Sequence, residues 1–469
     1  MSELPANWSM TRIGEVADIN PRSMKNELDD DTLASFVPMK CVEAETGRFA
    51  LPENKKVGEV KIGYTPMRDG DVIFAKVTPC MENGKGAVVR GLTNGIGFGS
   101  TEFYALRPKD NLMSEFLFYY IIQQGFRREA ERHMTGAVGL RRVPRAFIEE
   151  HDIPLPPRSE QRRIVARIEE LFSRLDAGVA ALRHAKAQLQ RYRQSVLAAA
   201  VTGQLTQAWR EQHPDTETAE GLLQRILTER RKSWNGRGNY SEPASPKPLA
   251  FDLPSSSWTR VSIDQLAVDT TIGLVRAAVL QNSNGEGFAY LKMDKIDMNG
   301  GVNLDGLVYV DATEEEVERF SLRKGDVLFN TRNSVELVGK TGHVASEPVT
   351  PLVFNNNLMR IRFVDSALPA FVALQMCSKQ FRDRMEGAKR ATTSIAAVYG
   401  KDLRPLPIAL PPLAEQHQIV AEVEARTTAI DHLEAELDRQ ITRSNRLRQS
   451  TLKAAFEGNL DYPSRTSIV

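Results

Sequence analysis

The nearest approach to catalytic chemistry in this chain is Val338-Gly339-Lys340-Thr341, which has the ending of a phosphate-binding loop. Such a loop needs a further glycine five residues before Gly339, but Ser334 stands there, and no helical pattern follows Thr341. The segment reads instead as a basic turn that touches a phosphate or a base edge. The seven histidines (His133, His151, His184, His213, His343, His417 and His432) are scattered without metal-ligand spacing. Cys41, Cys80 and Cys377 are too far apart in sequence to suggest a disulfide framework or a zinc site. There is no Gly-x-Ser-x-Gly elbow, no Gly-x-Gly-x-x-Gly fingerprint and no Asn/Asp-Pro-Pro-Tyr/Phe motif of amino-methyltransferases. Catalytic, cofactor and metal sites are therefore expected to be absent.

Charge leaves room for binding. The 469 residues carry a net charge of +1, but acidic clusters open each half, at Glu27 to Asp31 and at Glu314-Glu315-Glu316 with Glu318. Residues 68 to 145 then hold 12 basic against 8 acidic residues, and residues 319 to 404 hold 14 against 7. That imbalance suffices for a local basic face on each half. With 41% hydrophobic residues, no apolar run of membrane-spanning length and no signal-peptide pattern at the start, the expected location is the cytoplasm.

The elements that would position such faces are written twice. Leu4-Pro5 and Trp8 return as Leu253-Pro254 and Trp258, both tryptophans reading as structural anchors. Arg68-Asp69-Gly70-Asp71-Val72-Ile73-Phe74 returns 255 residues later as Arg323-Lys324-Gly325-Asp326-Val327-Leu328-Phe329, a tight turn feeding a buried strand. Gly84-Lys85 and Gly339-Lys340 share that offset, as do Pro156-Pro157-Arg158-Ser159-Glu160-Gln161 and Pro411-Pro412-Leu413-Ala414-Glu415-Gln416. A fixed offset over so long a stretch marks an internal duplication. Between the landmarks Ala75 to Arg90 bears little likeness to Asn330 to Ala345, nor His133 to Arg145 to Ala388 to Gly400. One scaffold thus presents two different loop surfaces.

Each Pro-Pro pair starts a long helix. In the first, Ile164, Ile168, Leu171, Leu175, Gly178, Leu182, Ala185, Leu189, Tyr192 and Val196 step alternately by four and three, a heptad seam. The second offers Ile419, Val423, Ile430, Leu433, Leu437, Leu447 and Leu452, interrupted by Arg426, Gln440 and Ser444. Its weaker seam needs a partner, and the first helix is the obvious one. The expected pairing residues are Ile164, Ile168, Leu171, Leu175, Leu182, Leu189, Ile419, Val423, Ile430, Leu433, Leu437 and Leu447. About 40 helical residues extend about 60 Å. The expected fold is α+β, with two globular domains in a pseudo-two-fold arrangement joined by two long helices in an antiparallel coiled coil. The domains fall at 1–155 and 253–408, the long helices at 156–205 and 409–462, and a helical segment with a Gly/Ser/Pro-rich flexible connector at 206–252.

Pro-Leu-Pro-Pro-x-x-Glu-Gln-x-x-Ile-Val from Pro154 to Val165, its echo from Ile408 to Val420, and the Gly-Asp-Val-[Ile/Leu]-Phe strands resemble the specificity (S) subunit of type I restriction–modification systems. So does Arg193 to Ala200 followed by Thr202-Gly203-Gln204-Leu205-Thr206 and Trp209-Arg210. The likeness spans essentially the whole chain. It implies two target-recognition domains, each reading one half of a bipartite, asymmetric site in double-stranded DNA. The helices would act as a ruler for the spacer and hold two adenine methyltransferase subunits, and two ATP-dependent restriction/translocase subunits would join for cleavage. S-adenosylmethionine, ATP and Mg would bind those partners, with no cofactor in this chain.

Loop position, polarity and the paired landmarks nominate DNA contacts. In the first half these are Lys76, Thr78, Lys85, Arg90, Thr135, Arg141 and Arg142. In the second they are Asn330, Arg332, Asn333, Lys340, Asn355, Asn356, Lys389, Arg390, Thr392 and Thr393. Two other readings compete. A methyltransferase or nuclease fused to recognition domains would need a cofactor or metal motif that is not found. A structural coiled-coil scaffold with paired protein-binding domains would bind no DNA sequence selectively.

Overall fold

The computed structural model describes residues 4–21, 28–50, 53–137, 139–234, 239–249, 252–364, 366–392 and 394–460. The chain divides into two compact units, residues 1–184 with 437–469, and residues 185–436. No described helix is long and apolar enough to cross a membrane.

In the first unit Gly70, at φ +90°, turns the chain into the fully buried strand Val72–Ala75. This strand lies between Phe103–Pro108 and Gly86–Val88 in a four-stranded sheet completed by Ala17–Ile19. A second four-stranded sheet holds Glu53–Lys56, Leu33–Val37, Ile96–Gly99 and Thr65–Arg68 in that order. Ser114–Ile121 and Gln124–Arg132 are helical, and Phe116, Leu117, Ile121 and Phe126 seal the core.

The second unit repeats the first of these sheets. Val327–Asn330 lies between Leu358–Phe363 and Thr341–His343, with Ala267–Ile272 outermost. Pro369–Cys377 and Lys379–Met385 are its helices. The helical part of the 206–252 segment is present and packs into this unit. Ala219–Lys232 is helical and buries Leu222, Leu223 and Ile226 in the same core as Val261 and Leu406. The described part of the connector is pinned rather than loose: Lys247 N donates to the Pro405 carbonyl at 3.0 Å, and Ser262 Oγ to the Ala244 carbonyl at 2.6 Å. Asn235 to Gly238, Ala250 and Phe251 of the connector lie outside the described residues, as do Glu27 of the acidic cluster and the last residues of the second long helix as predicted.

Both long helices run 44 residues, Arg158–Val201 and Leu413–Phe456, each beginning directly after its Pro-Pro pair. The motif glutamines lock these starts: Gln161 Nε2 donates to the Pro156 carbonyl and Gln416 Nε2 to the Pro411 carbonyl, both at 2.9 Å. Within each unit the helices pack antiparallel. In the first, Ile164, Ile168 and Phe172 share a core with Leu452, Ala455 and Phe456, and Asp176 pairs with Arg448. In the second, Val196, Leu197 and Ala200 share a core with Ile419 and Val423, and Arg193 pairs with Asp431.

Of the expected pairing residues, Ile164, Ile168, Ile419, Val423 and Ile430 are buried, while Leu171, Leu175, Leu182, Leu189 and Leu437 are half-buried. Leu433 and Leu447 are 50% and 51% exposed. The contact stripe drifts off a strict heptad. Phe172 is buried beside Leu171, and Arg193 is buried where Tyr192 was expected to be. The reason is that the helix ends pack on globular cores, where the natural 3.6-residue period of a straight helix prevails over the 3.5 of a supercoil.

Candidate nucleic-acid interface

The loops that differ most between the repeats converge on one structure per unit. In the first, a hairpin pairs Thr135–Ala137 with Leu140–Arg142. It docks on the chain just past the core strand: Thr78 N donates to the Arg141 carbonyl at 3.0 Å, Val143 N to the Lys76 carbonyl at 2.9 Å, and Val77 bridges Arg142. In the second, Arg390–Ala391 pairs with Ala396–Ala397, which pairs in turn with Arg332–Asn333. Val398 N donates to the Thr331 carbonyl at 2.9 Å, in the same register as its counterpart. A core strand therefore delivers its C-terminal residues to the base of a projecting two-stranded ribbon in both units.

This platform gathers Lys76, Thr78, Thr135, Arg141 and Arg142 in the first unit and Arg332, Asn333, Arg390 and Thr392 in the second. Arg332 and Arg390 are exposed and form no ion pair or hydrogen bond through their guanidinium groups among the described residues. Arg142 is committed: its Nε and Nη2 clasp Glu102 at 2.9 and 2.6 Å. That bond holds the Glu102 carboxyl below the usual carboxylate range, against the opposing effect of burial. Burial lowers the Lys76 pKa although Glu102 pulls it up, and the ammonium sits 5.1 Å from the centre of the Tyr104 ring. Thr78 Oγ1 donates to Glu82 at 2.8 Å, Arg141 lies 3.8 Å from Glu131, and Thr135 is exposed.

Other nominated residues serve the scaffold. Lys85 Nζ donates to the Met39 carbonyl at 3.3 Å, and Lys340 Nζ to the Met293 carbonyl at 2.9 Å, so the repeated Gly-Lys pair ties two segments of each unit together. The basic turn expected at Lys340 thus points inward, and burial lowers that lysine's pKa. Asn330 is fully buried, donating to the Arg332 and Asn357 carbonyls at 3.1 and 3.0 Å and accepting from Asn333 at 2.9 Å. Asn355 is buried and Asn356 half-buried in the turn before Leu358. Lys389 donates to the Val335 carbonyl at 3.0 Å with only 11% of its side chain exposed. Arg90 lies past the far end of the strand pair from the ribbon and forms an ion pair with Glu115. Thr393 lies outside the described residues.

Sequence reading missed Glu102, whose position beside Arg142 has no local signature. It also missed the role of Glu415, fully buried, which accepts hydrogen bonds from Thr206 at 2.7 Å, Arg210 at 2.5 Å and Trp258 at 2.9 Å. The signal was present in the Glu-Gln motif and in Thr206 and Trp209-Arg210, but not their convergence. Among the described residues no group of three or more metal-ligating side chains comes together.

A duplicated α+β unit with a basic ribbon on each copy defines a class that comparison with known proteins identifies. The family model "Type I restriction modification DNA specificity domain" matches residues 5–182 and 271–443. The chain belongs to this family: it is a DNA-specificity subunit of the type I restriction–modification kind. The EcoEI specificity subunit of Escherichia coli is 27% identical over 93% of this chain and 80% of that protein. A chain of a solved type I R-M system is similar in fold, with a TM-score of 0.69 at 21% identity over 98% of this chain and all of that one. The HsdS subunit from Thermoanaerobacter tengcongensis gives a TM-score of 0.50 at 21% identity, over 98% of each chain.

Proposed function

We propose that the domains at 1–155 and 253–408 each read one half of a bipartite, asymmetric DNA target, and that the regions 156–205 and 409–462 set the spacer and dock two adenine methyltransferase subunits. Two ATP-dependent restriction/translocase subunits complete the assembly for cleavage. The chain itself is non-catalytic; S-adenosylmethionine, ATP and Mg are bound by the partners, and the complex works in the cytoplasm. The observation that carries this reading is the pair of ribbons, built in the same register on the same scaffold but bearing different side chains. A two-stranded ribbon fits the major groove, where donors can read base edges while other basic groups fix register on phosphates. Two unlike ribbons imply two unlike half-sites.

The residues that best suit contact are Arg332, Arg390, Thr392 and Asn333 in the second domain and Arg141, Thr135, Thr78 and Lys76 in the first. The test is domain exchange. Residues 253–408 are replaced by the matching domain of a specificity subunit with a different target, and the assembled complex is titrated with duplexes carrying each combination of half-sites. One half of the preferred site changes and the other stays. A change in both halves, or in neither, contradicts the assignment. Absence of any sequence-dependent binding would favour the scaffold reading.

A further inference from the structure

Leu140 and Ile395 occupy matching positions in the two ribbons. Leu140 pairs with Ala137 at the end of the first ribbon. Ile395 lies opposite Thr392 at the end of the second, with Thr392 N donating to the Ile395 carbonyl at 2.8 Å. Both side chains are about half exposed, 53% for Leu140 and 51% for Ile395. One exposed aliphatic residue is ordinary. A large aliphatic residue at the matching position of both ribbons, in segments whose sequences otherwise diverge, calls for a common cause. Packing within the fold does not supply it, since half of each side chain faces water.

The neighbouring groups suggest what covers them. Thr135, two residues along the facing strand from Ala137, shares Leu140's face of its hairpin, and Arg390 and Thr392 share Ile395's, so each aliphatic patch has a hydrogen-bond donor beside it. The major groove offers acceptors on guanine, adenine and thymine, and its apolar feature is the C5-methyl group of thymine. We infer that Leu140 and Ile395 are specificity-determining residues, each packing against a thymine methyl group in the major groove of its own half-site. This inference rests on the reading of the ribbons as DNA-reading surfaces.

The test uses the chain assembled with its methyltransferase subunits and the cognate duplex, with each thymine of the two half-sites replaced in turn by uracil, which lacks the methyl group. The wild-type complex loses affinity about fourfold at one position in each half, the value of one buried methyl group. Leu140→Ala binds the thymine and uracil duplexes equally at its own position and retains the discrimination in the other half; Ile395→Ala does the converse. Thermal melting of both variants matches the wild type, because the positions are exposed. Two results overturn the inference: an unchanged thymine-to-uracil ratio in the variants, both affinities falling equally as for a wedge between base steps; or a wild-type complex indifferent to every thymine methyl. A wild-type complex that fails to distinguish the cognate from a scrambled duplex instead removes the DNA reading itself.

Discussion

Arg107 clasps Asp71 through two hydrogen bonds of 2.8 Å, and the carboxylate also accepts the Arg68 amide at 2.8 Å. The repeat preserves this arrangement as Arg362 on Asp326, at 2.7 and 3.1 Å. Each aspartate closes the Gly-Asp turn that launches the core strand toward its ribbon, and the Asp71 side chain is 2% exposed. Removing one member of a buried pair strands the other's charge. Asp71→Asn is therefore expected to destabilise the first unit by about 3 kcal/mol. Chemical denaturation would show this as a lowered transition for that unit, and an unchanged curve would refute it.

The two motif glutamates stand in unequal surroundings. Glu415 is completely buried among Thr206, Arg210 and Trp258, whereas the Glu160 side chain is 19% exposed and accepts from Asn7 at 2.6 Å. Glu415→Gln leaves the charge of the largely buried Arg210 without its carboxylate and should cost about 3 kcal/mol. Glu160→Gln keeps a hydrogen-bond acceptor at the position and should cost under about 1 kcal/mol. Differential scanning calorimetry of the two variants compares them directly; equal shifts would contradict the account.

Arg332 and Lys340 separate contact from scaffold. Arg332→Ala should weaken binding to the cognate duplex and reduce the slope of log K against log salt by about 1 if the contact is to phosphate. Lys340→Ala removes the bond to the Met293 carbonyl. It should lower thermal stability while leaving the salt slope unchanged. Binding isotherms at several salt concentrations, paired with melting curves, tell the two apart. A lowered salt slope for Lys340→Ala would return that lysine to the interface.

The bond from Arg142 depresses the pKa of Glu102 in the folded state. A depressed carboxyl pKa stabilises the fold above the unfolded value, near 4.5, and that contribution is lost as pH falls through the lower folded value. Wild type should therefore exceed Glu102→Gln in stability at neutral pH, with the difference closing below the folded pKa. Melting temperatures measured from pH 7 to pH 3 test the sign. A gap that widened on acidification would be the wrong sign.

The duplication was legible because its markers are residues with few structural alternatives: the glycine of a positive-φ turn, the aspartate beside it, and prolines that start helices. Those positions determine the scaffold, and the repeated strands, helices and motif glutamines sit where their spacing places them. The interface was harder to read for a physical reason. A polar side chain in a loop can meet solvent, a ligand or a carbonyl of its own fold, and sequence does not choose among these. Lys85 and Lys340 illustrate this, since a lysine's long stem lets it reach inward to a backbone oxygen. Asn330 was nominated for its amide and uses it to hold the strand end in place. The helix seam was read as an antiparallel coiled coil, and Phe172, in the core with Phe116 and Tyr119, shows that the first helix's start answers to a globular core as well.

The most direct measurement is single-molecule methylome sequencing of cells with and without this gene, its methyltransferase partner being present in both. The account predicts a split motif, two unlike halves around a fixed spacer with a methylated adenine in each, that disappears when the gene is removed. A motif that persists without the gene, or the absence of any split motif in its presence, would contradict the claim that this chain selects the target.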